Sequence, residues 1–421
     1  MVMRKILSKL KANPVVSEAY QQLKESIVQY DIAEVTPVLP RADQESEELR
    51  LNLIVPSVDK KHVFGGIATA IHFFEDLVCR FDHCKVRIIS LDAPVCPENL
   101  AISGKYQIVK SDQDSKEDFQ LVEYCDRYQK SIPVWRKDVF ISTGWWTAYT
   151  IRSVLLWQAE HYHQKLNPLI YLIQDYEPGF YPWSSRYLMA DSTYQMDIPV
   201  FAVFNSMQLR DFFSKEGYVF AKNWCFEPVL NQKLKQFLPS QNQKVSKKRQ
   251  IIVYGRPGTA RNAFEVIVAA LKLWASRQQD AEAWKVYSAG EVHPNIDLGN
   301  GLKLHSVGKL SLEDYARCMM ETYAGISLMV SPHPSYPPLE MSTFGIRTIT
   351  NHYANKDISS FNNNIISLRS AAPENIAEQL CRLCDEYTGE GMVYAESEYV
   401  RREKVFADIT TQIGKEIREW F

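Results

Sequence analysis

From Leu51 onward the chain alternates short apolar runs with amphipathic stretches. The runs LNLIVPS (51–57), KVRIISL (85–91), DVFIST (138–143), PLIYLIQ (168–174) and VFAVFNS (200–206) predict strands. Between them, segments such as ATAIHFFEDLV and YTIRSVLLWQAEHY carry apolar residues at helical spacing. Alternation of this kind predicts an α/β domain built on a parallel sheet. Residues 231–250, polar, basic and poor in periodicity, then read as an interdomain linker. A second alternation follows in QIIVYG (250–255), WKVYSAG (284–290), KLHSVG (303–308), AGISLMV (324–330) and IRTITN (346–351). The expected architecture is two doubly wound, Rossmann-like domains, 51–230 and 231–394, with a C-terminal helix in 395–421 rejoining the first. Such sheets bind ligands at the carboxyl ends of their strands, so a pair of them places a site in the cleft between domains.

Residues 1–50 read as a helical extension followed by a linker. Val2, Met3, Ile6, Leu7 and Leu10 fall at helical spacing, with Arg4, Lys5, Lys9 and Lys11 on the other face. A basic amphipathic helix suits an anionic membrane surface. It suits equally a face of its own domain or of a partner subunit, as in a homodimer. The stretch up to Arg50 carries Pro37, Pro40 and an acidic run, and reads as the linker.

Composition narrows the function classes. The 421 residues hold 48 Lys+Arg against 50 Asp+Glu, so there is no global basic field to capture nucleic acid. No apolar run approaches the roughly 18–20 residues of a membrane helix. MVMRKILSKLKANP lacks the apolar stretch of a signal peptide, so the expected location is the cytoplasm, at the inner face of the cell membrane where the extension touches it. The eight cysteines are scattered; Cys381 and Cys384 form a CxxC in a helical pattern without a second Cys/His pair, which predicts core-facing thiols.

The candidate chemistry gathers at predicted strand ends. Gly65 and Gly66 follow a strand and open a helix, where bare N–H groups and a positive helix end suit a phosphate or a sugar; a plain tight turn uses the same two glycines. The nucleotide-binding patterns GxGxxG and GxxxxGK[ST] are absent. In IIVYGRPGTARNAF, Gly255-Arg256 ends a strand and Arg261 starts a helix. Two guanidiniums there make a diphosphate clamp, although each alone would be an ordinary surface charge. Lys309 ends another strand and adds a third positive charge. In SLMVSPHPSYPPLEMSTFG a proline-laden loop leads to a short helix carrying Glu340. An acceptor-only carboxylate there suits both hydroxyls of a ribose; the plain alternative is a solvent-facing helix residue.

Asp175 and Glu177 follow another strand and precede Phe180, Tyr181 and Trp183, while Trp145 and Trp146 end a neighbouring strand. Carboxylates beside aromatic faces suit a carbohydrate floor, and core packing suits the same aromatics. Asn205-Ser206 reads as a helix cap. Asp112-Gln113-Asp114 is a DxD, a metal-binding signature, but KSDQDSKEDF reads as a solvated acidic loop and no metal site is expected.

The order Gly-Arg…Arg-Asn, Gly-Lys-Leu and Ser-Pro…Pro-Leu-Glu-Met…Phe-Gly resembles the donor domain of GT-B glycosyltransferases of family 4 over residues 250–352, and more loosely over 51–421. That family carries two glutamates with seven residues between them. Glu340 fits the second; Pro332 takes the place of the first, with His333, Ser335 or Tyr336 as substitutes toward the sugar ring. FGGIATA, QDYEPGFYP and the basic extension resemble, more narrowly, the WsaF-type rhamnosyltransferases of bacterial rhamnan assembly. The resemblance implies dTDP-β-L-rhamnose as donor, a growing, lipid-linked rhamnose glycan as acceptor, retention at the anomeric carbon and no metal ion. It also implies front-face attack, with the donor phosphate oxygen receiving the acceptor proton; the residues themselves show no obvious protein nucleophile.

Residues and resemblance together give three expected sets. Arg256, Lys309 and Asp175 would be catalytic. Gly65, Gly66, Arg256, Arg261, Lys309, Tyr336 and Glu340 would hold the nucleotide sugar, and Glu177, Trp145 and Tyr181 the acceptor. A nucleotide-sugar epimerase on the same two-domain plan, and a non-catalytic glycan-binding subunit of an assembly complex, fit the same residues.

Overall fold

The computed structural model describes residues 32–421 except 44, 45, 64, 114, 126, 128 and 129. The basic extension and Asp114 of the DxD lie outside the described residues. The chain divides into the units Met1–Pro37 and Val38–Phe421, and the second carries everything below.

Its first sheet has eight parallel strands: β1 (Arg50–Val55), β2 (Lys85–Ser90), β3 (Gln107–Lys110), β4 (Phe119–Glu123), β5 (Asp138–Ser142), β6 (Leu169–Ile173), β7 (Val200–Phe204) and β8 (Lys222–Cys225). They lie in the order β8-β7-β6-β5-β1-β2-β4-β3. Helices α1 (Gly66–Val78), α2 (Trp145–Tyr162), α3 (Ser185–Ser192) and α4 (Met207–Lys215) connect them. β1, β5, β6 and β7 are buried at every position, because helices cover both faces of a parallel sheet. Ile151, Leu155 and Phe213 of α2 and α4 fill one core; Phe73 and Phe74 of α1 fill the other. The strand order reverses between β1 and β5, which opens a crevice above their carboxyl ends. Strands β3 and β8 end this sheet and are mostly exposed, so their sequences carry no apolar run to announce them.

The second sheet has seven strands: β9 (Lys248–Gly255), β10 (Lys285–Gly290), β11 (Ile296–Gly299), β12 (Leu302–Gly308), β13 (Thr322–Ile326), β14 (Arg347–Asn351) and β15 (Ile365–Leu368), in the order β11-β12-β10-β9-β13-β14-β15. Only β11 is antiparallel to its neighbour. Helices α5 (Phe264–Arg277) and α8 (Pro373–Asp385) cover one face, with Trp274, Leu271 and Leu380 in the core. Helices α6 (Leu312–Glu321) and α7 (Tyr336–Thr343) cover the other, with Met319, Leu339 and Met341.

Residues 231–250, read above as an interdomain linker, carry regular structure despite their weak periodicity. They hold the turn of helix Gln232–Lys235, the strand Gln243–Ser246 paired antiparallel with Glu390–Val393, and the start of β9. Lys247 within this basic run is 2% exposed. Its Nζ donates to the carbonyls of Met319 (2.8 Å) and Phe344 (2.7 Å), capping the ends of α6 and α7. Burial pushes its pKa down to about 7.

The C-terminal segment serves both sheets. Tyr399 and Val400 pack with Leu230 and Leu234 on the second domain. Helix α9 (Ala407–Trp420) then places Ile413 and Ile417 in the first domain's core, where Thr410 accepts from Arg80 at 3.0 Å. All eight cysteines are free thiols, with Cys384 buried on α8. Among the described residues no helix is long and apolar enough to cross a membrane.

Candidate active site

The second domain's side of the cleft is built at the ends of β9, β10, β12 and β13. Gly255 ends β9 so close to β10 that a Cβ there would sit 1.8 Å from the Ser288 hydroxyl; only glycine fits. Arg256 follows, one-third exposed, with its Nε 3.2 Å from Glu291 at the end of β10. The same carboxylate accepts the Gly258 N–H at 2.7 Å and so shapes the turn that leads to α5. Arg261 lies with its guanidinium 4.2 Å from the centre of the Phe180 ring and its Nε 3.7 Å from Asp175, both in the first domain. Each clamp guanidinium thus rests against a carboxylate. Lys309 is exposed at the end of β12.

The loop from β13 to α7 runs through buried polar residues. Ser335, at the helix start, has φ 70° and ψ 142°, a conformation that costs a non-glycine residue about 1–3 kcal/mol. The buried His333 imidazole accepts the Ser335 N–H on Nδ1 at 3.0 Å, which assigns its proton to Nε2. That Nε2 has no hydrogen-bond partner among the described residues. Burial pushes the His333 pKa down to about 4, so the ring is neutral at pH 7. Burial pushes Glu340 up to about 7, with the Tyr315 hydroxyl pulling the other way. Tyr336 is pushed up to about 12 by burial, and its hydroxyl lies beside Thr69 on α1. Glu340 is therefore no solvent-facing helix residue.

On the first domain's side, Gly65 adopts φ 52° and ψ −121°, open essentially to glycine, and caps α1. Gln174 at the end of β6 donates to the Gly66 carbonyl at 2.9 Å. Asp175 accepts the Tyr176 N–H at 2.9 Å and the hydroxyl of Ser331, which reaches across from the second domain. Ser331 in turn accepts the His333 N–H at 3.0 Å. Lys356, 1% exposed after β14, donates to the Met329 carbonyl at 2.6 Å, and the charge of nearby Asp175 counters the burial that lowers its pKa to about 7. Asp175 thus pins the two domains together while facing Arg261.

Two expected acceptor residues are placed otherwise. Trp145 is fully buried; its indole N–H donates to Tyr181 at 3.0 Å, and its ring packs edge-on against Tyr181. Glu177 is buried beneath it and accepts the Trp145 backbone N–H at 2.5 Å, at the N-terminus of α2. Burial pushes this carboxyl up to about 8 despite that hydrogen bond. Trp145 and Glu177 are therefore core and helix cap rather than a sugar-binding surface, because helix α2 starts directly over them.

The other sequence signals fall where local chemistry puts them. Ser206 caps α4 by accepting the Leu209 N–H at 3.2 Å. Asp112 is exposed just after β3, and among the described residues no three His, Cys, Asp or Glu side chains gather into a metal-sized cluster. Glu291, Ser331 and Lys356 escaped the sequence reading, although each lies shortly after a predicted strand, where the strand-end rule points.

Relatives bear on these positions. The family model for the WsaF N-terminal domain matches residues 50–207, and the model for the WsaF C-terminal domain matches residues 249–381. The chain is 28% identical over 301 residues to the O-antigen biosynthesis protein RfbC of Myxococcus xanthus, a match covering 69% of this chain but 21% of that much longer protein. Among solved structures it is similar to sucrose-phosphate synthase from Thermosynechococcus elongatus, with TM-score 0.53 and 12% identity over 88% of this chain and 98% of the other. It is also similar to OtsA, with TM-score 0.50 and 8% identity over 88% and 97% of the two chains. At such identities the structural likeness speaks for the fold alone. With both domain models matched in order on two facing Rossmann-like sheets, the chain belongs to the WsaF family of GT-B glycosyltransferases.

Proposed function

We propose that this chain transfers L-rhamnose from dTDP-β-L-rhamnose to a rhamnose-containing bacterial surface glycan, with retention and without a metal ion. The observation that carries the reading is that Arg256 and Arg261 follow β9 while Glu340 lies on the helix that follows the adjacent strand β13, in a chain of WsaF kinship. The name of the RfbC relative supports a role in polysaccharide assembly. In this reading Arg256, Arg261 and Lys309 neutralise the charge that builds on the departing diphosphate, and Glu340 accepts the one free hydroxyl of the donor's deoxyribose. Donor phosphate displaces Arg261 from Asp175 and Arg256 from Glu291. Contacts between the domains, such as Tyr336 with Thr69 and Ser331 with Asp175, exclude water and favour transfer over hydrolysis.

The test is incubation with dTDP-rhamnose alone, then with an oligorhamnose, each with and without excess EDTA. Transfer that requires the oligorhamnose and survives chelation is the expected result. Isomerised donor would replace the reading by an epimerase, and binding without turnover by a glycan-binding subunit. Loss on chelation, restored by Mg²⁺ or Mn²⁺, would overturn the metal-free mechanism.

A further inference from the structure

The loop after β6 ends in an aromatic step formed by Trp183, one of the aromatics expected to floor a carbohydrate site but given no specific role above. Trp183 is 94% exposed and Leu188 67%, among the most exposed large apolar side chains described. The Trp183 indole lies parallel to the Tyr187 ring, with centroids 5.7 Å apart and planes 3° from coplanar. The step is held from below. The Tyr187 N–H donates to Ser184, the cap of α3, at 3.3 Å. Its hydroxyl lies 3.2 Å from that of Tyr176, which is 3.2 Å from that of Tyr218. The bonded hydroxyls fix one edge of the step and leave the indole face to solvent.

Its place relative to the cleft follows from chain length. Trp183 comes three residues after Phe180, whose ring carries the Arg261 guanidinium at 4.2 Å. Three residues span at most about 11 Å. The step therefore lies on the rim of the cleft, within the reach of a short oligosaccharide whose reacting end sits near Arg261. A flat, electron-rich ring attracts the C–H face of a pyranose, as it does any positively polarised edge. Charge separates this occupant from a bilayer. Capture by anionic lipid takes a cluster of basic residues, whereas residues 180–192 hold Arg186 alone, against Asp191. The step is close to neutral, which suits a neutral glycan.

We propose that Trp183, backed by Tyr187, is an acceptor subsite that stacks a non-reacting sugar unit of the glycan, away from the hydroxyl that attacks. The proposal rests on the glycosyltransferase reading above. A remote contact of this kind binds ground state and transition state alike, so its loss raises the acceptor KM and spares kcat.

The experiment uses the full chain with Trp183→Ala and Trp183→Phe, and two probes, a rhamnose trisaccharide and a single methyl rhamnoside. Trp183→Ala is expected to raise the trisaccharide KM about five- to tenfold, the scale of one aromatic contact. The KM for the short rhamnoside, the KM for dTDP-rhamnose and the slow hydrolysis of donor stay within twofold, and Trp183→Phe restores most of the loss. Without donor, the trisaccharide shifts the fluorescence of the wild type and not of Trp183→Phe. An unchanged trisaccharide KM or an identical fluorescence response in both proteins overturns the subsite. Lost flotation with phosphatidylglycerol vesicles at an unchanged KM also overturns it, and assigns the step to a membrane. A wild type that transfers to no acceptor defeats the transferase reading instead, and the fluorescence titration still decides whether the step binds the sugar.

Discussion

Two carboxyls, Glu177 in the first domain and Glu340 in the second, each follow a strand end facing the cleft. Burial pushes both up, to about 8 and about 7. Their partners differ. Glu177 is consumed by its own domain, accepting the backbone N–H that opens α2. Glu340, on α7, has the Tyr315 hydroxyl as its side-chain partner. Beyond this pair the two sides are mixed. The first domain ties the Tyr176, Tyr187 and Tyr218 hydroxyls to one another but leaves Ser142 Oγ and Asn205 Oδ1 unpartnered among the described residues, as the second leaves the His333 Nε2. A buried polar group satisfied within the protein supports the fold, whereas one left short of partners marks where a ligand completes the structure.

The sharpest way to break this contrast is to remove the second domain's charges. Arg256→Ala or Lys309→Ala should cut turnover by about 10²–10³, the scale for one preorganised charge at a developing anion. The melting temperature should barely move, since Arg256 is one-third exposed and Lys309 exposed. Near-normal turnover in both variants would dissolve the diphosphate assignment.

Glu340→Gln comes next. It replaces an acceptor-only group by one that offers a donor to the deoxyribose hydroxyl, so affinity for dTDP and for dTDP-rhamnose should fall about tenfold, equally for both. The pH response sharpens the point. The deoxyribose hydroxyl donates to the ionised carboxyl, whose folded-state pKa is raised to about 7. Below that pH a proton must leave before binding, so wild-type dTDP affinity should weaken by up to about tenfold per unit as pH falls through 7, and level off above it. Calorimetric titration of the variant between pH 6 and 8 should lack that component. A variant that keeps the wild-type slope would assign the titration elsewhere.

The smallest effect falls on the partner in the comparison. Glu177→Ala removes a helix cap worth about 1 kcal/mol, or about 2–4 °C in the melting temperature of a domain this size. Nucleotide affinity should stay within twofold. Glu177→Gln should be milder still, because a carboxyl with a pKa near 8 is mostly protonated at pH 7 and already resembles an amide. If Glu177→Ala weakens acceptor binding at unchanged stability, the carboxyl belongs to the site after all.

Much of this plan was written in local pattern. The buried strands β1, β5, β6, β7 and β13 announce themselves as apolar runs, because a strand covered on both faces needs apolar residues throughout, and β9 and β10 do so at their buried central positions. Their carboxyl ends, with that of β12, then point to the positions of Gly65, Arg256, Arg261, Lys309 and Glu340 without knowledge of any contact. The exposed strands β3 and β8 leave no such run. Nor does the strand Gln243–Ser246, held by a ladder whose backbone groups every residue possesses.

What only the tertiary structure decided is the state of each polar side chain. Glu177 and Glu340, or Trp145 and Trp183, look alike in a string of letters, yet Trp145 is buried and Trp183 is 94% exposed. Lys247 sits in a basic run, yet lies buried across the ends of two helices. Asp175 reads as a cleft carboxylate, and it meets Ser331 and Arg261 from residues more than 80 positions away. Apolar periodicity is a property of neighbours along the chain, so the sequence carries it directly. Whether a polar group is satisfied depends on which distant groups the packed sheets and helices bring within about 3 Å of it, and that distance exists only once the chain has folded.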